Sequence, residues 1–362
     1  VYLLFLTFAK ILFMASFYKL KIENITRETQ SAISISFSIP TELKNNYQFI
    51  AGQYVTIKLT LDGTEIRRAY SICSSPSSGE LRIAIKEVEN GLFSTFANKN
   101  LKEGDVLEVG LPEGNFVLES ESTTQNHYAA FVAGSGITPV LSILKNVLEN
   151  EPTSTFVLVY GNKSKEDTLF FNQIQKLEQQ YLGRFFVHYV FSKNTIENSF
   201  SGRIDATIVN SVLEKYNDKS FKTFFLCGPE EMIRLVSSIL GEKNVAQDKI
   251  KFELFTSSSA ENKEASSHNG QTKITVIVDG DTTHFEMSQK ETILDASLKK
   301  GIDAPYSCQG GVCSSCLARI TKGTAEMKKN SILTDKEIAE GLTLTCQAHP
   351  TSSEIEVDFD DV

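Results

Sequence analysis

Near residue 127 the apolar pattern of this chain changes period, and the change limits what each part can fold into. Residues 18–122 hold short runs that alternate apolar and polar side chains: YKLKIENI, AISISFSI, QYVTIKLTL, LRIAIKEV and DVLEVGL, punctuated by Gly, Pro and Asn. A period of two sets one strand face in a core and the other in water, which predicts an antiparallel barrel or sandwich. Across 123–255 unbroken apolar runs (HYAAFVAG, STFVLVYG, RFFVHYVF, KTFFLCG) alternate with amphipathic stretches such as PVLSILKNVLEN and EEMIRLVSSIL. Strands apolar on both faces and spaced by helices predict a parallel α/β sheet. The stretch TSSSAENKEASSHNGQ, 256–271, has no apolar period and reads as a solvated linker. Residues 272–362 then offer a hairpin (KITVIVDG, HFEMS), a helix (ETILDASLKKG), a cysteine-rich loop and a last strand, EIEVDF. No internal repeat is present.

A chain of 362 residues has room for three such cores. Its net charge of −9 argues against a nucleic-acid partner, whose phosphates it would repel. From residue 271 onward 15 acidic side chains face 9 basic ones, so the last quarter carries most of that charge. Such a surface suits docking to a basic partner and equally suits simple solubility. The first segment, 1–17 (VYLLFLTFAKILFMASF), is apolar but interrupted by Lys10 and shorter than the ~20 residues of a membrane span. We read it as an extension upstream of a start at Met14, with a membrane anchor and then a targeting segment as the alternatives. With no secretory cleavage pattern, the six cysteines point to a reducing cytoplasm.

Four of those cysteines form one pattern. Cys308, Cys313 and Cys316 are spaced C-x4-C-x2-C, and Cys346 follows after 29 intervening residues. This is the spacing of a plant-type [2Fe–2S] centre, in which one loop supplies three thiolates. Gly310 and Gly311 let the backbone curl and aim N–H groups at the sulfurs, and Ser314 and Ser315 are small enough to leave room. A zinc knuckle is the weaker reading, since it pairs two short hooks and Cys346 stands alone; a disulfide is weaker still. His127, His188, His268, His284 and His349 are scattered without ligand spacing, so a Rieske centre is not indicated.

The run YSCQGGVCSSCLARITKGTAEMKKNSIL, closed by GLTLTCQAHP, resembles the C-terminal ferredoxin domain of oxygenase reductases. In that family a flavin domain and a pyridine-nucleotide domain precede the ferredoxin, in this order. The resemblance runs from about Met14 to the end. It implies a flavin-binding antiparallel β-barrel (18–122), a nucleotide-binding parallel α/β domain (123–255) and a β-grasp [2Fe–2S] domain (272–362).

RRAYSICS, 67–74, carries a cation, an aromatic ring and a hydroxyl in alternation. Arg68 and Tyr70 share a strand face, so a guanidinium can neutralise a flavin diphosphate while Tyr70 lies on the ring system and Ser71 reaches its reactive nitrogen. GLFSTFAN, 91–98, places Gly91, Ser94 and Thr95 at a predicted helix start, a cradle for pyrophosphate. The pair resembles the R-x-Y-S and G-x-x-S motifs of ferredoxin-reductase-like barrels, which implies FAD, with FMN as the alternative.

AGSGITP, 133–139, joins a strand to a helix: Gly134 and Gly136 allow close backbone approach, and Thr138 with Pro139 opens the helix. Pro139 stands where the G-x-G-x-x-G fingerprint has its third glycine, so the match is to the G-x-G-x-T-P of the resembling family instead. CGPEEM, 227–232, turns another strand into a helix at Cys227, Gly228 and Pro229; by resemblance this cysteine lies beside the nicotinamide. The next strand ends bring Lys163, Ser192 and Lys193, which suit a 2′-phosphate and favour NADPH over NADH, although Glu166 and Asp167 lie close by. KFELF adds Glu253 and Phe255, which the resemblance sets near the flavin.

No general acid–base dyad or nucleophile–base pair appears. A flavin links two-electron and one-electron carriers, and that is why these cofactors come as a set. The expectation is an electron-transfer enzyme with Tyr70, Ser71 and Cys227 beside the reacting atoms. It would serve an oxygenase component, with a phenylacetyl-CoA epoxygenase ahead of a membrane desaturase, an alkane hydroxylase or another ring oxygenase. A non-enzymatic redox sensor is disfavoured by the intact motifs.

Overall fold

The computed structural model describes residues 17–61, 63–121, 123–255 and 270–362. All of the expected 1–17 extension except Phe17, and of the expected linker all but Gly270 and Gln271, lie outside these residues. The described residues fall into two compact units, one within Tyr18–Ser259 and one within Ala260–Val362, with Phe17 grouped in the latter.

The first unit opens with six strands: β1 (Tyr18–Thr29), β2 (Ala32–Ser38), β3 (Tyr54–Leu61), β4 (Thr64–Ser71), β5 (Leu81–Lys86) and β6 (Val106–Val109). They pair antiparallel in the order β4-β3-β6-β1-β2-β5. A bridge between Ile72 and Ile83, with the Cys73 N–H donating to the Arg82 carbonyl at 2.8 Å, joins the two ends into a barrel. The alternating residues Leu20, Ile22, Ile33, Ile35, Ile57 and Ile83 fill its interior. Helix α1 (Leu92–Asn100) follows β5.

The same unit continues with β7 (His127–Ala133), α2 (Ile137–Asn150), β8 (Thr155–Asn162), α3 (Phe171–Gln180), β9 (Phe185–Phe191), β10 (Phe200–Ser201), α4 (Ala206–Lys215), β11 (Phe221–Gly228), α5 (Glu230–Glu242) and β12 (Ile250–Leu254). These strands are parallel, in the order β10-β9-β8-β7-β11-β12. The winding reverses between β7 and β11, which opens a crevice at their C-terminal ends. Both glycine motifs sit at that point. One core holds Ala51, Phe116 and Leu118 of the barrel side together with Ile137, Ile143 and Phe225 of the sheet side, and this shared burial makes the two folds one unit.

The second unit contains β13 (Gln271–Val278), β14 (Asp281–Ser288), α6 (Ile293–Lys299), β15 (Leu317–Lys322), β16 (Ala325–Met327), α7 (Asp335–Ala339), β17 (Leu342–Leu344), β18 (Ala348–Pro350) and β19 (Glu354–Asp358). Its main sheet runs β14-β13-β19-β15-β17, with β13 and β19 parallel and the other pairs antiparallel. Asp279 and Gly280 turn the β13–β14 hairpin with φ of 55° and 78°, the left-handed pair a two-residue turn of that kind needs. The Thr292 hydroxyl caps α6 by accepting from the Asp295 N–H, and Ile293, Leu294 and Ala296 bury its inner face in a β-grasp arrangement. The segment between α6 and β15 carries three cysteines, and the turn between β17 and β18 carries the fourth. Among the described residues no helix is long and apolar enough to cross a membrane.

Candidate functional site

Strand β4 ends in Arg68, Tyr70 and Ser71. Alternation sets Arg68 and Tyr70 on one face. The Tyr70 ring lies 5.6 Å from that of Phe93 on α1, tilted by 43°, so the strand and the helix of the two flavin motifs meet. Burial raises the Tyr70 phenol well above its ordinary value, and the residue stays neutral at any working pH.

Helix α1 begins behind Gly91. A Cβ on that glycine would lie 2.4 Å from Ser94 Oγ and 3.0 Å from the Val88 carbonyl oxygen, so a larger residue there would displace the Ser94 hydroxyl. The Ser94 hydroxyl is buried and accepts from the Val88 N–H at 3.1 Å; it shapes the approach to the helix, while Thr95 stands half-exposed on its first turn. Asn98 secures the far end: Arg27 donates to its side-chain and main-chain oxygens, each at 2.9 Å, and its amide reaches the carbonyls of Ile85 and Ser94.

At the crevice the glycine turn rises on a scaffold. Gly134 takes φ +56°, and the buried Tyr160 hydroxyl donates to its carbonyl at 3.0 Å. Thr138 is buried and donates to the Ser135 carbonyl at 3.0 Å, which tightens the turn into α2. A Cβ on Gly136 would fall 2.2 Å from the Cys227 carbonyl oxygen and 3.1 Å from its sulfur. Glycine is therefore required, and the two nucleotide motifs touch through it. Gly228 is crowded more gently, its would-be Cβ lying 2.8 Å from the flexible Met232 methyl and 3.1 Å from the Ala133 nitrogen, and Pro229 stands at the N-cap of α5.

Parallel register pairs Cys227 of β11 with Glu253 of β12. The Ser71 hydroxyl donates to Glu253 Oε2 at 3.3 Å, so a carboxyl links the end of the flavin strand to the nucleotide-side thiol. Burial pushes Glu253 up to about 8, against the opposing effect of the Ser71 bond, and the group keeps its proton at neutral pH. Cys227 is fully buried, and burial followed by the neighbouring Glu253 raises its thiol well above the usual range. It is a neutral thiol. Phe255 follows β12 and is 41% exposed.

Lys163, Ser192 and Lys193 gather at the open end of β8 and β9. The Ser192 N–H donates to the Asn162 carbonyl at 3.0 Å and that of Lys193 to the Lys163 carbonyl at 2.9 Å, which extends the parallel pairing beyond the strands and leaves both side chains exposed. One residue of this region escaped the sequence reading. Lys86, at the end of β5, points its ammonium to within 3.9 Å of where a Gly134 side chain would begin. Burial lowers its pKa, Asp167 opposes that, and Lys163 adds to it, so all three charges share one neighbourhood. The available signal was a cation closing the apolar strand LRIAIK.

In the second unit the four cysteines lie close enough to act on one another's ionisation, Cys313 and then Cys346 lowering Cys308, and Cys346 lowering Cys316. With help from the N–H groups of Gly310 and Val312, these contacts hold Cys308 far below the ordinary thiol range. The Gly310 N–H lies 3.3 Å from its sulfur. Gly311 takes φ +70°, and a Cβ there would meet the Lys329 carbonyl oxygen at 2.7 Å. Among the described residues no three His, Cys, Asp or Glu side chains converge as ligands of a single ion do. A two-iron cluster asks for a different layout, two thiolates per iron, and four neighbouring cysteines, with Cys346 acting on both Cys308 and Cys316, supply that number. None of the described histidines joins this group; His188, for one, pairs with the Tyr216 hydroxyl at 2.9 Å.

A thiol cradle of this kind, with a glycine-turn crevice and an aromatic–cationic barrel strand, defines a class: a flavin and iron–sulfur oxidoreductase driven by NAD(P)H. Comparison with known proteins agrees along the chain. Residues 19–118 match the oxidoreductase FAD-binding domain, 131–238 the oxidoreductase NAD-binding domain and 276–351 the 2Fe-2S iron-sulfur cluster binding domain. The chain is 36% identical to one of the subunits of the 1,2-phenylacetyl-CoA epoxidase of Escherichia coli (strain K12), over 96% of its own length and 99% of that protein. It is 31% identical to the ferredoxin reductase component of the 3-ketosteroid-9-alpha-monooxygenase of Rhodococcus rhodochrous, over 94% of this chain and 96% of that one. Phthalate dioxygenase reductase shares its fold with a TM-score of 0.62 at 23% identity, covering 95% and 98% of the two chains. The chain belongs to the family of flavin and iron–sulfur reductase components of oxygenases, and its cofactors are FAD, NAD(P)H and a [2Fe–2S] cluster.

Proposed function

We propose that this reductase draws electrons from NADPH and delivers them, one at a time from its cluster, to the oxygenase of a phenylacetyl-CoA epoxidase. The observation that carries the entry step is the Ser71–Glu253–Cys227 junction. Ser71 of the flavin strand donates there to Glu253, which stands in register beside Cys227 on the neighbouring strand. The client rests on identity to the epoxidase component along nearly the whole chain.

When bound, the flavin accepts a hydride and passes electrons on singly. The residues do the rest. Arg68 neutralises the flavin diphosphate while Gly91 and Thr95 open the α1 turn to it, with Ser94 holding that turn in shape. Tyr70 presents its ring to the flavin, and Ser71 approaches the reactive nitrogen. Gly134, Gly136 and Thr138 admit the nucleotide pyrophosphate, with Lys86 as its counter-charge. Cys227, Gly228 and Pro229 wall the nicotinamide, and burial keeps water from the transfer path. Lys163, Ser192 and Lys193 take the 2′-phosphate that distinguishes NADPH from NADH. Cys308, Cys313, Cys316 and Cys346 ligate the two irons. Buried neutral thiols and a cluster with no disulfide partner fit a reducing cytoplasm.

The test is reconstitution. Purified reductase is combined with the oxygenase components of the epoxidase, phenylacetyl-CoA, and either nucleotide. NADPH-dependent epoxide formation, with kcat/KM for NADPH above that for NADH, is the expected result. Reduction of the cofactors without any epoxide would assign the same chain to another oxygenase client.

A further inference from the structure

Helix α2 does more than carry the glycine turn. Four polar residues, Ser142, Lys145, Asn146 and Glu149, follow one another along it within two turns and so form a single stripe. All four reach the barrel. The Ser142 hydroxyl donates to the Ser74 carbonyl at 2.6 Å, and Lys145 Nζ to the Cys73 carbonyl at 3.1 Å. Asn146 donates to the Leu118 carbonyl at 3.3 Å. Glu149 Oε2 accepts from the hydroxyls of Ser75 at 2.5 Å and Ser77 at 2.6 Å. Residues 73–77 directly follow Ser71 and Ile72, so the stripe grips the chain that leaves the flavin strand.

Both ends of the helix are also fixed. Its first turn grows out of Gly134–Gly136, which packs on Cys227. Its C-cap, Glu151, is fully buried. The Glu151 carboxylate accepts from the Glu121 N–H at 2.9 Å, the Tyr128 hydroxyl at 3.1 Å and the Ser154 hydroxyl at 2.6 Å, and so holds the segment that connects barrel to sheet. One rigid helix therefore touches the nucleotide turn, the exit of the flavin strand and the connection between the two folds.

We infer that the stripe is a positioning device: Glu149, Lys145 and Ser142 set the distance between the nucleotide turn and the flavin strand, and occupancy of the turn is felt at residues 73–77. None of these side chains touches a reacting atom. Their effect is on geometry, where a displacement of about 1 Å slows a transfer on the order of a hundredfold. The inference rests on the reductase reading, whose own failure would appear as a flavin left unbleached by NADPH in the unaltered protein, and that result would overturn both.

The experiment uses the full-length holoprotein with Glu149→Ala, Glu149→Gln and the double variant Ser75→Ala/Ser77→Ala. The first readout is amide hydrogen exchange across residues 72–79, with and without saturating NADP+. The second is the rate of flavin bleaching against NADPH concentration, which separates affinity from transfer. In the unaltered protein NADP+ should slow exchange in 72–79. In Glu149→Ala exchange should be several-fold faster and no longer respond, and the limiting bleaching rate should fall about tenfold with the nucleotide Kd within about twofold. Glu149→Gln, which keeps an acceptor oxygen, should restore both. If Glu149→Ala does not fold, the serine pair removes the same two hydrogen bonds by deleting two hydroxyls, and the same readings decide. An unchanged exchange response in folded variants, or a loss confined to nucleotide affinity, overturns the inference.

Discussion

The cluster loop takes three of its four sulfurs from the nine residues 308–316, whereas Ser71 and Glu253, joined by a 3.3 Å hydrogen bond, stand 182 residues apart. The first site is built by one curled backbone and needs glycine at Gly311 because a carbonyl crowds it. The second is built by a shared core that brings barrel and sheet together, and by parallel register that sets Cys227 beside Glu253. A locally built site is set by its own spacing. A site built across a fold depends on everything that fixes the fold, down to hydrogen bonds from helix side chains that themselves touch no cofactor.

The largest effect should come from cutting the local site. Cys316→Ser should abolish the long-wavelength iron–sulfur absorption and halve or erase bound iron, while NADPH still bleaches the flavin at its ordinary rate. Iron analysis and stopped-flow absorbance check it; a flavin that also stops responding would contradict the separation. Next comes the crowded contact of the assembled site. Gly136→Ala drives a methyl into the Cys227 carbonyl, and flavin bleaching should slow about a hundredfold with the cluster spectrum intact.

A smaller change follows from Glu253. Its ordinary value of 4.5 is raised to about 8 by burial, so between those values the folded chain holds a proton that the unfolded chain has released. The stability this contributes is fully present below about pH 4.5 and is withdrawn as pH rises to about 8. Melting temperature should therefore fall more over that window in the unaltered protein than in Glu253→Gln. Equal slopes would mean that Glu253 ionises normally. The smallest effect concerns nucleotide choice: Lys193→Ala should raise KM for NADPH about fivefold and leave that for NADH unmoved, as loss of one exposed phosphate contact implies.

Much of this fold was legible because its signals are periodic. Alternation marked the barrel strands, apolar runs marked the parallel sheet, and the four cysteines announced themselves by spacing. The remainder depended on packing. That Ala51, Phe116 and Phe225 share a core, and thereby join two expected domains into one compact unit, has no periodic signature. Glu253 was placed near the flavin by resemblance alone, since strand register cannot be read from one chain, and its bond with Ser71 and its pairing with Cys227 appear only in the assembled sheet. Lys86 escaped notice because a lysine closing a strand is most often a solvated end. Ser94 read as a phosphate ligand, and its buried hydroxyl also accepts from the Val88 N–H, a contact the sequence does not announce.

The central claim is that electrons enter at the assembled site and leave through the local one. Anaerobic titration of the intact holoprotein with NADPH, followed by absorbance and by electron paramagnetic resonance, tests it most directly. Bleaching of the flavin bands together with the iron–sulfur bands, to about three electrons per chain with the signal of a reduced [2Fe–2S] centre, is the expected result. A flavin that bleaches while the cluster stays oxidised in the intact chain would contradict it.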